Sequence, residues 1–167
     1  MSLDGFIADK DGGYEWIVME SDIDFAAYTE KIDALIMGRH TYALIKSQED
    51  TDFGFEDREI FVVSTTLDPS EHPDVTVVSE DVEAFVTDLK ARDGKDIWLF
   101  GGGVLFRSLL EAGLVDRVEV GVIPAMLGEG IPLLPGLRGT ARLSLHSTEG
   151  WPSSGIVLLK YDVEAVS

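Results

Sequence analysis

Val82, Phe85, Val86 and Leu89 fall at i, i+3, i+4 and i+7, the spacing that lines one side of a helix. The stretch "SEDVEAFVTDLKARDG" therefore predicts a helix, with an acidic first turn, Lys90 and Arg92 in the last turn and Gly94 as its stop. "SDIDFAAYTEKI" reads as another helix, with Ser21 as N-cap and Asp24 three positions on, as in a capping box. "RHTYALI" gives a helical turn or two, and "VLFRSLLEAG" a helix closed by Gly113. Strands are read from short β-branched or continuous apolar runs: "DALIMG", "REIFVVS", "VTVVS" and "DIWLFG". "MSLDGFIA" alternates partly and runs into the turn "DKDGG". Towards the C-terminus, "LVDRVEVGVIPA" places Val118, Val120 and Val122 on one face, and "ARLSLHST" and "GIVLLKYDVEA" flank a "GWPSSG" turn.

The resulting order is βαβαββαβαβββ, give or take one element. Alternating α and β units imply a mostly parallel sheet with helices on both faces, and the consecutive last strands imply an antiparallel extension. At 167 residues with 45% apolar content, the chain fits one α/β domain, residues 1–167.

Composition narrows the function. Thirty-one acids against 13 lysines and arginines give a net charge of −18, which disfavours nucleic acid and anionic membranes. The acidity reads either as a solvated surface that aids solubility or as adaptation to high salt, where self-repulsion is screened. There are no cysteines, so disulfides, thiolate metal sites and cysteine nucleophiles are excluded. No apolar run suits a membrane span and the N-terminus does not read as a signal peptide, so the expectation is a cytoplasmic protein. No spacing of histidines and carboxylates suggests a metal site.

Ligands of open α/β sheets bind outside the carboxyl ends of the strands. Three such ends stand out. At the first, Gly38 closes a strand and Arg39, His40 and Thr41 open a helix, whose N-terminal amides and partial positive charge favour phosphate. Arg39 adds a fork of donors; the alternative is a surface arginine paired with an acid. At the second, Gly101, Gly102 and Gly103 lie between strand and helix, either as an anion-accepting nest of amides or as a tight packing turn. The run lacks the spaced third glycine of a dinucleotide fingerprint and the lysine of a phosphate loop. At the third, Ser64 and Thr65 end a strand and offer hydroxyls. The loop "PAMLGEGIPLLPG" reads equally as a lid or as an ordinary crossover.

Taken in order and spacing, "LIMGRHTY", "FVVSTT" and "IWLFGGGVLF" resemble the dihydrofolate reductase superfamily. "MSLDGFIA" together with "GLVDRVEVGVIPAMLGEGIPLLP" is more similar to one branch, the C-terminal reductase domain of the bifunctional riboflavin-biosynthesis deaminase-reductase and its stand-alone relatives. The resemblance implies a three-layer fold around a central sheet of about eight strands. It implies NADPH as cofactor and hydride transfer to a pyrimidine or pteridine, as in 5-amino-6-(5-phosphoribosylamino)uracil reductase. Dihydrofolate reductase proper and a non-catalytic nucleotide-binding relative are the alternatives.

By the same resemblance, Gly38, Arg39, His40 and Thr41 hold cofactor phosphates. Ser64 and Thr65 lie near the adenosine 2′-phosphate. Gly101, Gly102 and Gly103 admit the pyrophosphate, with Val104 and Leu105 beside it. Counting back from "MGRHT" puts Asp22 at the position of the family's catalytic carboxylate and Trp16 at its preceding tryptophan. Asp22 alternatively reads as a first-turn helix acid. Asp4 orders the turn at Gly5 or contacts a ligand. Phe106 stands where dihydrofolate reductases carry a tyrosine. The apolar strands "VEVGVI" and "GIVLLKYDV" suggest an exposed sheet edge and, with the resemblance, a homodimer.

Overall fold

A computed structural model describes residues 1–18, 20, 23–48, 55 and 57–166. Its strands are β1 (Phe6–Ala8), β2 (Ile32–Gly38), β3 (Glu59–Val63), β4 (Thr76–Val78), β5 (Asp96–Leu99), β6 (Arg117–Val122), β7 (Ile131–Pro132), β8 (Ala141–Trp151) and β9 (Ile156–Val166). Its α-helices are α1 (Phe25–Thr29), α2 (Arg39–Ser47), α3 (Val82–Lys90) and α4 (Gly103–Glu111). The order is the one the hydrophobic pattern predicts, with the two-residue β7 added. The chain divides into two compact units, one of residues 24–106 and one of residues 1–23 with 107–167. Among the described residues no helix is long and apolar enough to cross a membrane.

The unit of residues 24–106 is built on a four-stranded sheet in the order β4-β3-β2-β5, and every neighbouring pair is parallel. β2 is central, and its sequence IDALIMG is buried almost continuously, as a strand covered on both faces must be. The chain steps from β2 to β3 and β4 in one direction, then returns past them to β5 on the far side of β2. Right-handed crossovers in opposite directions put their helices on opposite faces. The contacts agree. Tyr42 of α2 packs with Leu35, Met37 and Val62, whereas Phe85 of α3 stands edge-on to Phe61, one residue earlier on β3, with centroids 5.0 Å apart. Leu35 and Val62 have no exposed surface. Burying a side chain of this kind contributes about 1.5–3 kcal/mol.

Two helix boundaries differ from expectation. α1 starts only at Phe25, because Asp24 is its N-cap and accepts from the Ala27 amide at 2.9 Å. Its end comes early because Ile32, 4% exposed, is drawn into β2. Ser21, the expected cap, lies outside the described residues. α3 ends at Lys90, before Gly94. Gly94 instead leaves room for a carboxylate: a Cβ there would lie 2.6 Å from Asp33 Oδ2, the atom that accepts from the Lys95 amide at 2.8 Å.

The other unit holds an antiparallel three-stranded sheet, β6-β9-β8, and the ribbon β1-β7. β9 is therefore the middle strand, not an edge as its apolar sequence suggested. An 11-residue partner on one side and a six-residue partner on the other account for its hydrophobicity. The β8–β9 hairpin turns through Gly155 at φ +75°, where the glycine amide donates to Trp151 O at 2.7 Å.

Candidate functional site

The ends of β2 and β5 meet at one level of the parallel sheet. Their register pairs Ile36 with Leu99, so Gly38 and Gly101 emerge side by side. Gly101 and Gly102 have φ of +81° and +96°, conformations open to glycine at little cost and strained for other residues. A Cβ on Gly101 would also come 3.1 Å from Thr41 Oγ1 and Cγ2, and one on Gly102 would lie 3.7 Å from Gly38 N. The glycine run is thus a tight turn that brings the start of α4 against the start of α2.

Packing does not explain Gly38. Its φ of −81° and ψ of 160° suit any residue, and a Cβ there would meet nothing within 4 Å. Space over a glycine with ordinary backbone angles suits a group from outside the chain. Around that space stand the first turn of α2, with no side-chain N-cap on Gly38, and the first turn of α4, where Phe106 N donates to Gly102 O at 2.9 Å. Two helix N-termini converge on one point, each with first-turn amides and the positive end of its dipole. The strand connections also reverse between β2 and β5, which is where open α/β sheets form a ligand crevice.

Arg39 and His40 are exposed and Thr41 half-buried. Arg39 Nη2 lies 3.4 Å from His40 Nε2, on an exposed side chain. Val104 is 61% exposed, whereas Leu105 is 9% exposed and belongs to the core. The β2–β3 register pairs Gly38 with Val63, so Ser64 and Thr65 leave the sheet at the same end as Arg39. Ser64 is buried, and its hydroxyl accepts from the Thr66 and Leu67 amides at 3.1 and 3.0 Å. It shapes the turn that leaves Thr65 exposed.

Asp4 and Trp16 belong to the other unit. Asp4 accepts from Ser2 Oγ at 2.7 Å, from the Gly128 amide at 2.8 Å and from the Leu127 amide at 3.1 Å. The Ser2 hydroxyl, then the Gly128 and Leu127 amides, hold its carboxyl below the usual carboxylate range. Asp4 thereby ties "SLDG" to the loop after β6, which β7 fastens again by pairing with β1. Trp16 is half-buried, with its indole N–H donating to Gly13 O at 3.3 Å. Asp22 lies outside the described residues. Sequence reasoning missed Glu20, a carboxylate 9% exposed that accepts from Ser153 Oγ at 2.8 Å. Ser153 is 133 residues away, so no local pattern signals this contact.

The family model of the RibD C-terminal domain matches residues 1–154. The uncharacterised protein YyaP of Bacillus subtilis is 32% identical over 171 residues, covering 96% of this chain and 90% of that protein. Among solved structures, a protein named for riboflavin biosynthesis from Shewanella sp. PV-4 superposes with a TM-score of 0.82 at 27% identity, covering 98% of this chain and 95% of that one. A deaminase/5-amino-6-(5-phosphoribosylamino)uracil reductase from Thermotoga maritima shares the fold, with a TM-score of 0.71 at 18% identity. That match covers 98% of this chain and 54% of the longer protein. The chain is a member of the RibD C-terminal domain family.

Proposed function

We propose that the chain is an NADPH-dependent oxidoreductase that reduces a pyrimidine or pteridine-type heterocycle. The observation that carries this reading is the open space over Gly38, bounded by the N-terminal turns of α2 and α4. A pyrophosphate fits there chemically: amides at two helix starts donate to its oxygens, and a glycine floor lets the phosphorus approach the backbone. Arg39 adds a charge-assisted, bidentate contact. Arg39 opens α2 at the same end of the sheet where Ser64 and Thr65 follow β3, and an arginine there is proposed to take the extra phosphate that distinguishes NADPH from NADH. His40 and Thr41 supply further donors, and Val104 offers an exposed apolar surface.

When bound, the cofactor supplies the hydride; the chain's residues position it and manage protons. Asp22 is proposed as the carboxylate that holds the amidine-like edge of the substrate and moves a proton. Asp4 and Trp16 are proposed on the substrate side, Asp4 by fixing the loop at Leu127 and Gly128. The substrate class follows the name of the Thermotoga protein, which acts on a phosphoribosylamino-uracil. Tested against a panel of pyrimidines and pteridines that also contains dihydrofolate, the chain should oxidise NADPH with a phosphoribosylamino-uracil-type member. Turnover of dihydrofolate alone would reassign the substrate. NADPH binding without turnover on any member would make the chain a nucleotide-binding relative.

A further inference from the structure

Glu20 is a buried carboxylate to which the proposed chemistry assigns no role. It is 9% exposed, and its Oε2 accepts from Ser153 Oγ at 2.8 Å. Both residues lie in the unit of residues 1–23 and 107–167. Ser153 belongs to the turn of the β8–β9 hairpin and is itself exposed, so the hairpin tip reaches onto a buried acid. Stability does not account for such a pair. Taking a carboxylate out of water is costly, and a buried polar pair often adds nothing over apolar residues of the same volume. What a buried hydrogen bond supplies is register, because it is satisfied in one relative placement of its two segments.

The two segments are held in different ways. The hairpin tip is a braced frame. Trp151 pairs with the buried Ile156, and Trp151 O accepts from the Gly155 amide at 2.7 Å and from Ser154 Oγ at 3.4 Å. A Cβ on Gly155 would lie 3.1 Å from Pro124 Cγ, so the tip also rests against the loop after β6. The segment that precedes Glu20 is folded by short-range bonds. Asp9 Oδ1 accepts from the Gly13 amide at 2.8 Å, the Trp16 indole donates to Gly13 O at 3.3 Å, and the Ile17 amide donates to Tyr14 O at 2.9 Å. Bonds this local shape turns but do not place them on the sheet. The Glu20–Ser153 bond, across 133 residues, does. Beyond it the Ile23 amide donates to Glu20 O at 3.4 Å. Asp22, the carboxylate proposed to move the proton, comes between these two residues in the sequence.

We infer that Glu20 is a positioning residue for the proton-transfer step: gripped by Ser153, it fixes the backbone from which the chain continues to Asp22. The inference rests on the reductase reading and on Asp22 as its acid. A reacting group misplaced by about 1 Å loses on the order of 100-fold in rate. A bond remote from the substrate therefore governs turnover without touching it, as a supporting contact does for any precisely placed side chain. The Ser153 hydroxyl needs an acceptor at Glu20 rather than a charge, so a glutamine amide oxygen serves the same bond.

The test is steady-state oxidation of NADPH by the full chain with a phosphoribosylamino-uracil, measured across pH and paired with NADPH titration and circular dichroism. In Ser153→Ala, kcat should fall about tenfold or more, while NADPH affinity and the circular dichroism spectrum stay as in the wild type. Glu20→Ala should behave alike. Glu20→Gln should recover most of the lost kcat and keep the wild-type pH profile. A Ser153→Ala protein with the wild-type kcat would overturn the inference and leave the reductase reading in place. So would a Glu20→Gln protein that loses a titration seen in the wild type, since Glu20 would then carry the proton itself. An equal loss of NADPH affinity and kcat in Ser153→Ala would show a general disturbance and overturn it too. A wild type that oxidises NADPH with no substrate would overturn the reading and the inference together.

Discussion

Gly101 is a position where backbone angle and packing both favour glycine. Its φ of +81° and the 3.1 Å approach of the Thr41 side chain both disfavour a Cβ. Gly101→Ala should therefore destabilise the fold by about 1–2 kcal/mol, the cost of a left-handed backbone for an L-residue, as read from urea unfolding. Gly38 is the counterpart: Gly38→Ala should leave stability within about 0.5 kcal/mol, apart from a small propensity effect, yet weaken nucleotide binding. A Gly38→Ala protein that binds NADPH like the wild type would remove the open space from the site. The sequence singles out both glycines but does not separate their roles. That distinction lies in dihedral angles and in which neighbour stands within 4 Å. Ser64 is similar: its place at a strand end is legible, but not its use by two turn amides.

Among the elements, α3 and β2 are legible because their periodicity is enforced by burial. Val86 and Leu89 are 4% and 5% exposed, and the continuous apolar run of β2 matches its central place in the sheet. What escapes the sequence is long-range. The link from Asp4 to Leu127 and Gly128 spans more than 120 residues, and β7 is too short to show a pattern. The central position of β9 depends on which strands pair with it. The Asp4 link carries a pH dependence. Its carboxyl is held below its unfolded value near 4, so its contribution is full above that value and is lost as pH falls through the lower folded one. Protection of the Leu127 and Gly128 amides relative to intrinsic exchange should hold at pH 5 and fall in stronger acid. Asp4→Ala should lower it at pH 5 and leave it unchanged where Asp4 is protonated. Unchanged protection in the variant would show that the pairing of β7 with β1 holds the loop alone.

For the whole molecule, the α/β class and the meeting of the glycine-bearing ends of β2 and β5 are legible because local glycine and strand signals coincide in spacing. The two-unit division and the Glu20–Ser153 bond are not, since both arise from contacts between distant segments. The charge of −18 acts at this scale as self-repulsion, which salt screens. The melting temperature should rise between low and molar NaCl, and stability equal at both would leave the acidity a matter of solubility alone. The same negative field would oppose the proposed anionic cofactor, whose binding would then depend on the helix starts of α2 and α4 and on Arg39. Titration of NADPH into the wild-type chain and Arg39→Ala, followed by nucleotide fluorescence at fixed ionic strength, tests that dependence. Saturable binding by the wild type and an affinity at least tenfold weaker in Arg39→Ala, matching about 1.5–3 kcal/mol for a charged hydrogen bond, is the expected result. No binding by the wild type, or equal affinity in both proteins, would contradict a nucleotide phosphate site at the ends of β2 and β5.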